Sequence, residues 1–280
     1  CSRSGVSHRM TMSAPVTVVV PCYRCAKTIV RAVSSVAAQT LRPAELILVD
    51  DASGDATLQQ LYALQAQHGT WIRVIALTAN AGAASARNAG WNVATQPYIA
   101  FLDADDAWHP RKLEVQYGYM QQHPDVALCG HLCRQLPATT MEATHWPITW
   151  TMGDALPVTW SQLLLRHQFV TPSVMLKRDI KPRFYEGARH MEDHRLWLEV
   201  VGTPLPAVRL QVELAAVYKP VYGASGLSAD MWSMEKAELA NYRYFYGQHK
   251  LSLVQLILLQ IFSLLKYARR LFIVCVLRRV

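Results

Sequence analysis

Apolar positions change period along the chain, and the changes mark out its elements. Residues 16–20, VTVVV, form a β-branched run closed by Pro21 and read as a buried first strand. From Thr28 onward Ile29, Val30, Val33, Val36 and Ala37 recur at helical spacing, and that helix should end before the turn at 39–43. Residues 45–49 give a second strand ending in Asp50 and Asp51. Ser53, Gly54 and Asp55 then turn the chain into a helix whose inner face carries Leu58, Leu61, Tyr62 and Leu64. A third strand at 72–77, a helix at 83–94 and a nearly all-apolar strand at 98–102 continue the alternation. Strands and helices in this order predict βα units and a largely parallel sheet.

After a helix from 110 to 122 and a fifth strand at 126–132 the pattern weakens. Residues 134–158, rich in Pro, Thr and Trp, read as a loop-rich region over the site. A short helix at 160–167, a strand at 173–177, a helix at 193–201 and an extended run at 208–221 come next. No repeat or low-complexity linker interrupts the chain, so residues 15–228 are expected to be one domain. Residues 1–14 are polar, small and basic, lack a signal-like apolar run and are expected to be disordered. Residues 229–280 form a helical tail. Within it, 251–265 is apolar except for a stripe through Ser252, Gln255 and Ser263 that Lys266 and Arg270 continue, with Leu259 as the exception. Fifteen residues make a helix of about 22 Å, short of the roughly 30 Å hydrocarbon core. The tail therefore reads as an amphipathic helix lying on a membrane surface, with packing on its own domain or in a homodimer as the alternative.

Composition sharpens two points. Half of the 280 residues are hydrophobic and 17% are charged, which excludes a disordered chain. The net charge of +8 suggests nucleic acid until it is mapped: Lys266, Arg269, Arg270, Arg278 and Arg279 lie in the last fifteen positions, where no carboxylate occurs. Basic charge on an apolar tail points to anionic lipid, so no nucleic-acid partner is expected. Six cysteines are too few for a disulfide scaffold in a chain of this length and imply a reducing, cytoplasmic compartment. Cys22 and Cys25 have the spacing of a redox pair, and Cys129 with Cys133 could complete a zinc site, but more than a hundred residues separate the pairs.

The chemistry is concentrated in carboxylates. Asp103, Asp105 and Asp106 close the fourth strand, at the edge where open α/β sheets place ligands. Three acids so close repel one another unless a cation intervenes, and Asp-x-Asp with a divalent cation and a diphosphate is the arrangement they suggest; a surface acidic turn is the plainer alternative. Asp50 and Asp51 end the second strand, where a carboxylate can accept from a base or ribose or can simply cap a turn. Gly82 and residues 83–88 form a close-approach turn into a helix bearing Arg87, a planar cation suited to a base or a phosphate. Glu192 and Asp193 enter a late helix, a position that the helix dipole alone favours.

The segments VVVPCYRC, QTLRPAELILVDDASGDAT, NAGAASARNAG, FLDADDAWHPRKL and MEDHRLW, in this order and spacing, resemble an inverting family 2 glycosyltransferase of bacterial surface-polysaccharide biosynthesis. The resemblance covers roughly residues 15–228. It implies a GT-A fold: α/β, with a mixed, mainly parallel sheet, flanking helices and here the helical tail. It implies a nucleotide-sugar site in which Pro21 and Tyr23 line the base, Asp51 reads the base edge, Arg87 lies nearby and Asp103 faces the ribose and diphosphate. Asp105, with Asp103, becomes the ligand of a divalent cation, Mg or Mn, and Asp193 the catalytic base. Tyr218, Lys219, Ser225 and Ser228 resemble a diphosphate-side segment; Lys219 stands where Arg is usual, and Arg24 where Asn is usual.

The expected activity is transfer of a sugar from a nucleotide-diphosphate sugar, by default a UDP-sugar, to a hydroxyl of a lipid-linked or polysaccharide acceptor. The expected place is the inner face of the cell membrane. A sugar nucleotidyltransferase would carry a Gly-rich loop after the first strand, and PCYRCAK has no glycine. A receiver-like module would place its acidic pair after strand one in a chain half as long. A non-catalytic nucleotide-sugar-binding module would not need Asp105 and Asp193 together.

Overall fold

The computed structural model describes residues 13–137, 140, 145–218 and 230–277. The β-branched run forms strand β1 (Ala14–Cys22), which lies between two parallel neighbours, β2 (Pro43–Asp50) and β4 (Tyr98–Phe101). Beyond β2 lies β3 (Ile72–Ala76), also parallel. The connecting helices are α1 (Ile29–Ala37), α2 (Thr57–His68) and α3 (Ala83–Val93). The predicted βα alternation is therefore present, with boundaries within two residues.

The second half of the sheet departs from the expected pattern. Strand β6 (Leu128–Gln135) starts two residues later than predicted and runs three further, into the stretch read as loop. Two short strands were not anticipated. Strand β5 (Ala107–Trp108) lies inside the acidic segment and β7 (Ala155–Pro157) inside the loop-rich region; both pair antiparallel with β9 (Ala207–Val217). Strands of two or three residues carry too little period to be seen in a sequence. Strand β8 (Met175–Lys177) pairs antiparallel with both β4 and β6, joining the two halves. The sheet order is β3-β2-β1-β4-β8-β6-β9-β5, with β7 beside β9. Its long ladders are parallel and its antiparallel ones short.

Alternation along β1 divides the core. Val16, Val18 and Val20 face one layer, with α1, α2 and α4 (Lys112–Gln122), while Val19 faces the other. On that second side α3 lies close to β1, because Gly90 leaves room: a Cβ there would come within 2.5 Å of Val19 Cγ1. The second layer also takes in α5 (Trp160–Leu165), α6 (Glu192–Val201) and α7 (Met231–Gly247), whose Tyr242 and Phe245 are buried in it. Helix α8 (Leu253–Leu277) packs on α7 and adds Leu256 and Leu259 to the same cluster.

Ser263, Lys266 and Arg270 of the polar stripe face inward, whereas Ser252 and Gln255 are exposed. Ser263 and Arg270 bind the fully buried Glu235 of α7 at 2.7 and 3.0 Å, and Lys266 binds Glu238 at 3.0 Å. Two cations expected to meet a membrane are thus committed to α7. Leu253, Val254, Ile257, Leu258, Ile261, Phe262, Leu264 and Leu265 face outward instead. No helix among the described residues is long and apolar enough to cross a membrane.

Candidate active site

The carboxyl ends of β1, β2 and β4 and the starts of α3 and α6 enclose a cleft of about 490 Å³. Pro21, Tyr23, Asp51, Arg87, Asp103 and Asp105, all named from the sequence, line it. Lys219, Ser225 and Ser228 lie outside the described residues.

Tyr23 is half-exposed at the cleft rim, with the Arg24 guanidinium 5.3 Å from its ring centre. The neighbouring Arg24 adopts a left-handed backbone, φ 49°, and its backbone N–H donates to Ser53 Oγ at 3.1 Å. The two acids after β2 divide their roles. Asp50 accepts from the N–H and hydroxyl of Ser53, forming the turn, and does not line the cleft. Asp51 lines the cleft, but its oxygens hold the loop before α3: Ala81 N at 2.7 Å, Gly82 N at 2.9 Å and Asn80 Nδ2 at 2.9 Å. Gly82, at φ 89°, makes the turn that a side chain would strain, and α3 starts from it.

Arg87 is the centre of the site. Buried on α3, it donates from one guanidinium nitrogen to Asp103 Oδ1 at 2.8 Å and from the other to Glu192 Oε1 at 2.9 Å. Burial alone would push its pKa down, but the two carboxylates more than reverse this and keep the cation charged. One residue thereby ties the end of β4 to the start of α6. Glu192 is held above the usual carboxylate range by burial first and by Asp193 beside it, with Arg87 opposing.

Asp193 takes a different environment. It does not line the cleft, and its Oδ2 accepts from the Thr171 hydroxyl at 3.1 Å. The next residue, His194, is buried with neither ring nitrogen bonded among the described residues, and it stacks 3.9 Å from His167. Burial pushes His194 far below the usual histidine range, so the imidazole is neutral and adds no competing charge beside Asp193.

The acids after β4 also separate. Asp103 and Asp105 line the cleft, whereas Asp106 is buried and accepts from Tyr218 N at 3.3 Å, fixing the end of β9. Arg31 donates to the Asp105 carbonyl and stacks 3.6 Å from the Tyr218 ring centre. Among the described residues no group of three or more His, Cys, Asp or Glu side chains forms a metal cluster. Within the same set Cys22, Cys25, Cys129 and Cys133 are free thiols. Burial, reinforced by Cys25, raises the Cys22 thiol well above its ordinary value, which suits packing and not redox exchange.

Asn80, which holds Asp51, opens the NAGAASARNAG segment but was not singled out within it. Arg189, which reaches the cleft from the loop before α6, carried no sequence signal: it is a lone polar residue in a loop, and only the fold brings it to the site.

The profile of Glycosyl transferase family 2 matches residues 17–177. An uncharacterized glycosyltransferase, alr2836, of Nostoc sp. is 38% identical over 117 residues, 42% of this chain and 36% of that protein. The putative teichuronic acid biosynthesis glycosyltransferase TuaG of Bacillus subtilis is 30% identical over 240 residues, 84% of this chain and 89% of that protein. WfgD of Escherichia coli, a UDP-Glc:alpha-D-GlcNAc-diphosphoundecaprenol beta-1,3-glucosyltransferase, is 28% identical over 66% of this chain and 69% of its own. Among solved structures, the mannosyltransferase PcManGT of Pyrobaculum calidifontis, in complex with GDP-Man and Mn2+, aligns with a TM-score of 0.65 at 17% identity. That alignment covers 95% of this chain and 76% of that one. S. aureus TarS 1-349 with UDP-GlcNAc aligns at 0.61 and 18% identity, over 81% of this chain and 66% of that one. These likenesses show a GT-A-like fold, and by the profile and the TuaG alignment together the chain belongs to glycosyl transferase family 2.

Proposed function

We propose that the protein transfers a sugar from a nucleotide-diphosphate sugar, a UDP-sugar by preference, to a hydroxyl of a lipid-linked or polysaccharide acceptor, with inversion. The observation that carries this reading is the double pairing of Arg87, which ties Asp103 after β4 to Glu192 of α6 at one cleft, with Asp193 the next residue along. A cleft of about 490 Å³ is of the size that small-molecule sites take. In this reading Tyr23 and Pro21 meet the base, and Asp51, already holding the 80–82 loop, presents that loop to the nucleotide.

Asp103 and Asp105 are the residues that would hold a divalent cation, Mg or Mn. Asp103 gives only one oxygen to Arg87, and hard cations of this kind take one or two carboxylates and complete their shell with water and phosphate oxygens. Bound there, the cation supplies charge to offset that developing on the leaving diphosphate. Asp193 removes the proton of the acceptor hydroxyl as that oxygen attacks the anomeric carbon and the bond to the diphosphate breaks. Its position outside the cleft lining, against Thr171, suits a base that faces the acceptor, while Glu192 braces Arg87.

The outward apolar face of α8, with the exposed Arg269 among its cations, supports a peripheral place on the inner face of the cell membrane, where a lipid-linked acceptor is presented. The name of WfgD, with its diphosphoundecaprenol acceptor, supports that acceptor class. Nucleotide release from UDP-, GDP- and dTDP-sugars, followed with Mg or Mn, tests the reading. Calorimetry on Asp105→Ala should lose metal-dependent donor binding. Donor affinity equal to wild type without metal in that variant would remove Asp105 from the site.

A further inference from the structure

The α6 carboxylates stand on a turn that its own residues do not secure. Met191, just before them, holds a left-handed backbone at φ 59° and ψ 18°, and α6 has no side-chain cap. A non-glycine residue keeps such a conformation only where its surroundings impose it. Those surroundings come from α7. Asn241, almost fully buried, donates from Nδ2 to the Met191 carbonyl at 3.1 Å, alongside the helical bond from Arg195 N. One turn further, the Arg195 guanidinium lies 3.5 Å from the ring centre of Tyr244 on α7 and 4.1 Å from that of Tyr185.

Helix α7 is itself firmly held. The Tyr242 hydroxyl donates to Glu238 at 2.7 Å and lies 3.1 Å from the Leu164 carbonyl, and Glu238 and Glu235 are gripped by Lys266 and Arg270 of α8. Helix α7 is thus fixed by α5 and α8 and in turn, through Asn241, contacts the turn that presents Glu192 and Asp193. Helices α6, α7 and α8 all lie beyond residue 177, where the family match ends.

We infer that Asn241 is a positioning residue: through the Met191 carbonyl it sets the direction of the Asp193 carboxylate, making the helical tail part of the catalytic scaffold. The inference rests on the proposed transfer reaction with Asp193 as base. A buried asparagine that only satisfies a core carbonyl would influence stability and nothing else.

The test uses the full chain with Asn241→Leu, which keeps the size and removes the donor, and Asn241→Leu combined with Asp193→Asn. Losing one neutral hydrogen bond that aims the base should lower kcat per folded molecule about tenfold. Affinity for UDP with Mn should stay within about twofold, because Glu192 remains held by its own ion pair with Arg87. In the Asp193→Asn background the same substitution should add no further loss, since residues acting as one unit are not additive. Tyr244→Leu, which leaves the Asn241 bond in place, should give the same split at about threefold and serves if the first variant does not fold. Normal kcat with a lowered Tm in both single variants would overturn the inference, as would a full tenfold loss added on top of Asp193→Asn. An Asp193→Asn enzyme with normal transfer would instead remove the base assignment, leaving the kcat-against-affinity split at Asn241 to be read independently.

Discussion

Asp51 and Asp103 follow β2 and β4, the two strands that flank β1, and each is placed by the end of a buried strand. Glu192 and Asp193 come to the same region on α6, from a turn braced by α7, with Glu192 joined to Asp103 through Arg87. The first arrangement is local: a buried run must stop, and the residues after it land on the ligand edge of the sheet. The second is assembled from contacts 16 to 105 residues apart, so it exists only once both halves of the sheet have joined. Variants that touch the junction should therefore cost more than variants on either side of it.

The largest stability effect is expected at Arg87. Arg87→Met leaves Asp103 and the buried Glu192 without their cation, and breaking a buried pair in this way typically costs about 3–5 kcal/mol. Arg111→Met is the contrast, because the Arg111–Glu114 pair is exposed on both sides and should be worth under about 1 kcal/mol. Urea denaturation of the two variants makes the comparison. Equal losses would mean that Arg87 is not a brace.

A smaller effect of opposite sign is expected at Lys112, which takes no part in the Arg87 pairing. It is fully buried on α4, 3.9 Å from the ring centre of Trp108, bonded to Gln116 Oε1 at 2.6 Å and without an ion-pair partner among the described residues. Burial lowers its pKa from 10.5 to about 7. Because the folded value lies below the unfolded one, the destabilisation is full below pH 7 and fades as pH rises toward 10.5. Lys112→Met should therefore be more stable than wild type at pH 6, by about 1–3 kcal/mol after the orphaned Gln116 oxygen is counted. The gap should close by about pH 10, near the ordinary lysine value; a gap that is flat with pH would contradict the buried-charge account.

The smallest change in the enzyme itself is expected from the surface of α8. Leu258→Glu with Leu265→Glu should abolish co-sedimentation with anionic vesicles while leaving folding and nucleotide affinity intact, since both side chains face outward. Unchanged co-sedimentation, or a wild-type dimer that these changes dissociate, would assign the face to protein contact instead.

Much of the first arrangement was legible in the sequence because its signals are local. A β-branched run followed by acids names a strand and its end, and a glycine before small residues names the start of α3 against β1. The division of labour within each acidic pair was not legible. Asp50 and Asp51 are neighbours of identical type, and only the fold shows that Ser53 takes one and the 80–82 loop the other. The tail was readable as a stripe but not in its direction. A polar stripe was expected to meet water or lipid headgroups, and here two buried glutamates of α7 turn its second half inward, a pairing no helical period can reveal. Asn241 and Arg189 gave no signal, since a single polar residue acquires meaning only from what it touches.

The most direct test of the central claim is the ratio of transfer rate to donor affinity in Asp193→Asn against Glu192→Gln, both measured on folded protein. General-base assistance is worth about 10²- to 10⁴-fold, so Asp193→Asn should lose about that much transfer with donor affinity unchanged. Glu192→Gln should lose less transfer and show weakened donor binding, because it loosens Arg87. Near-normal transfer in the Asp193 variant, or a greater loss of transfer in the Glu192 variant, would contradict the account and move the base to another residue.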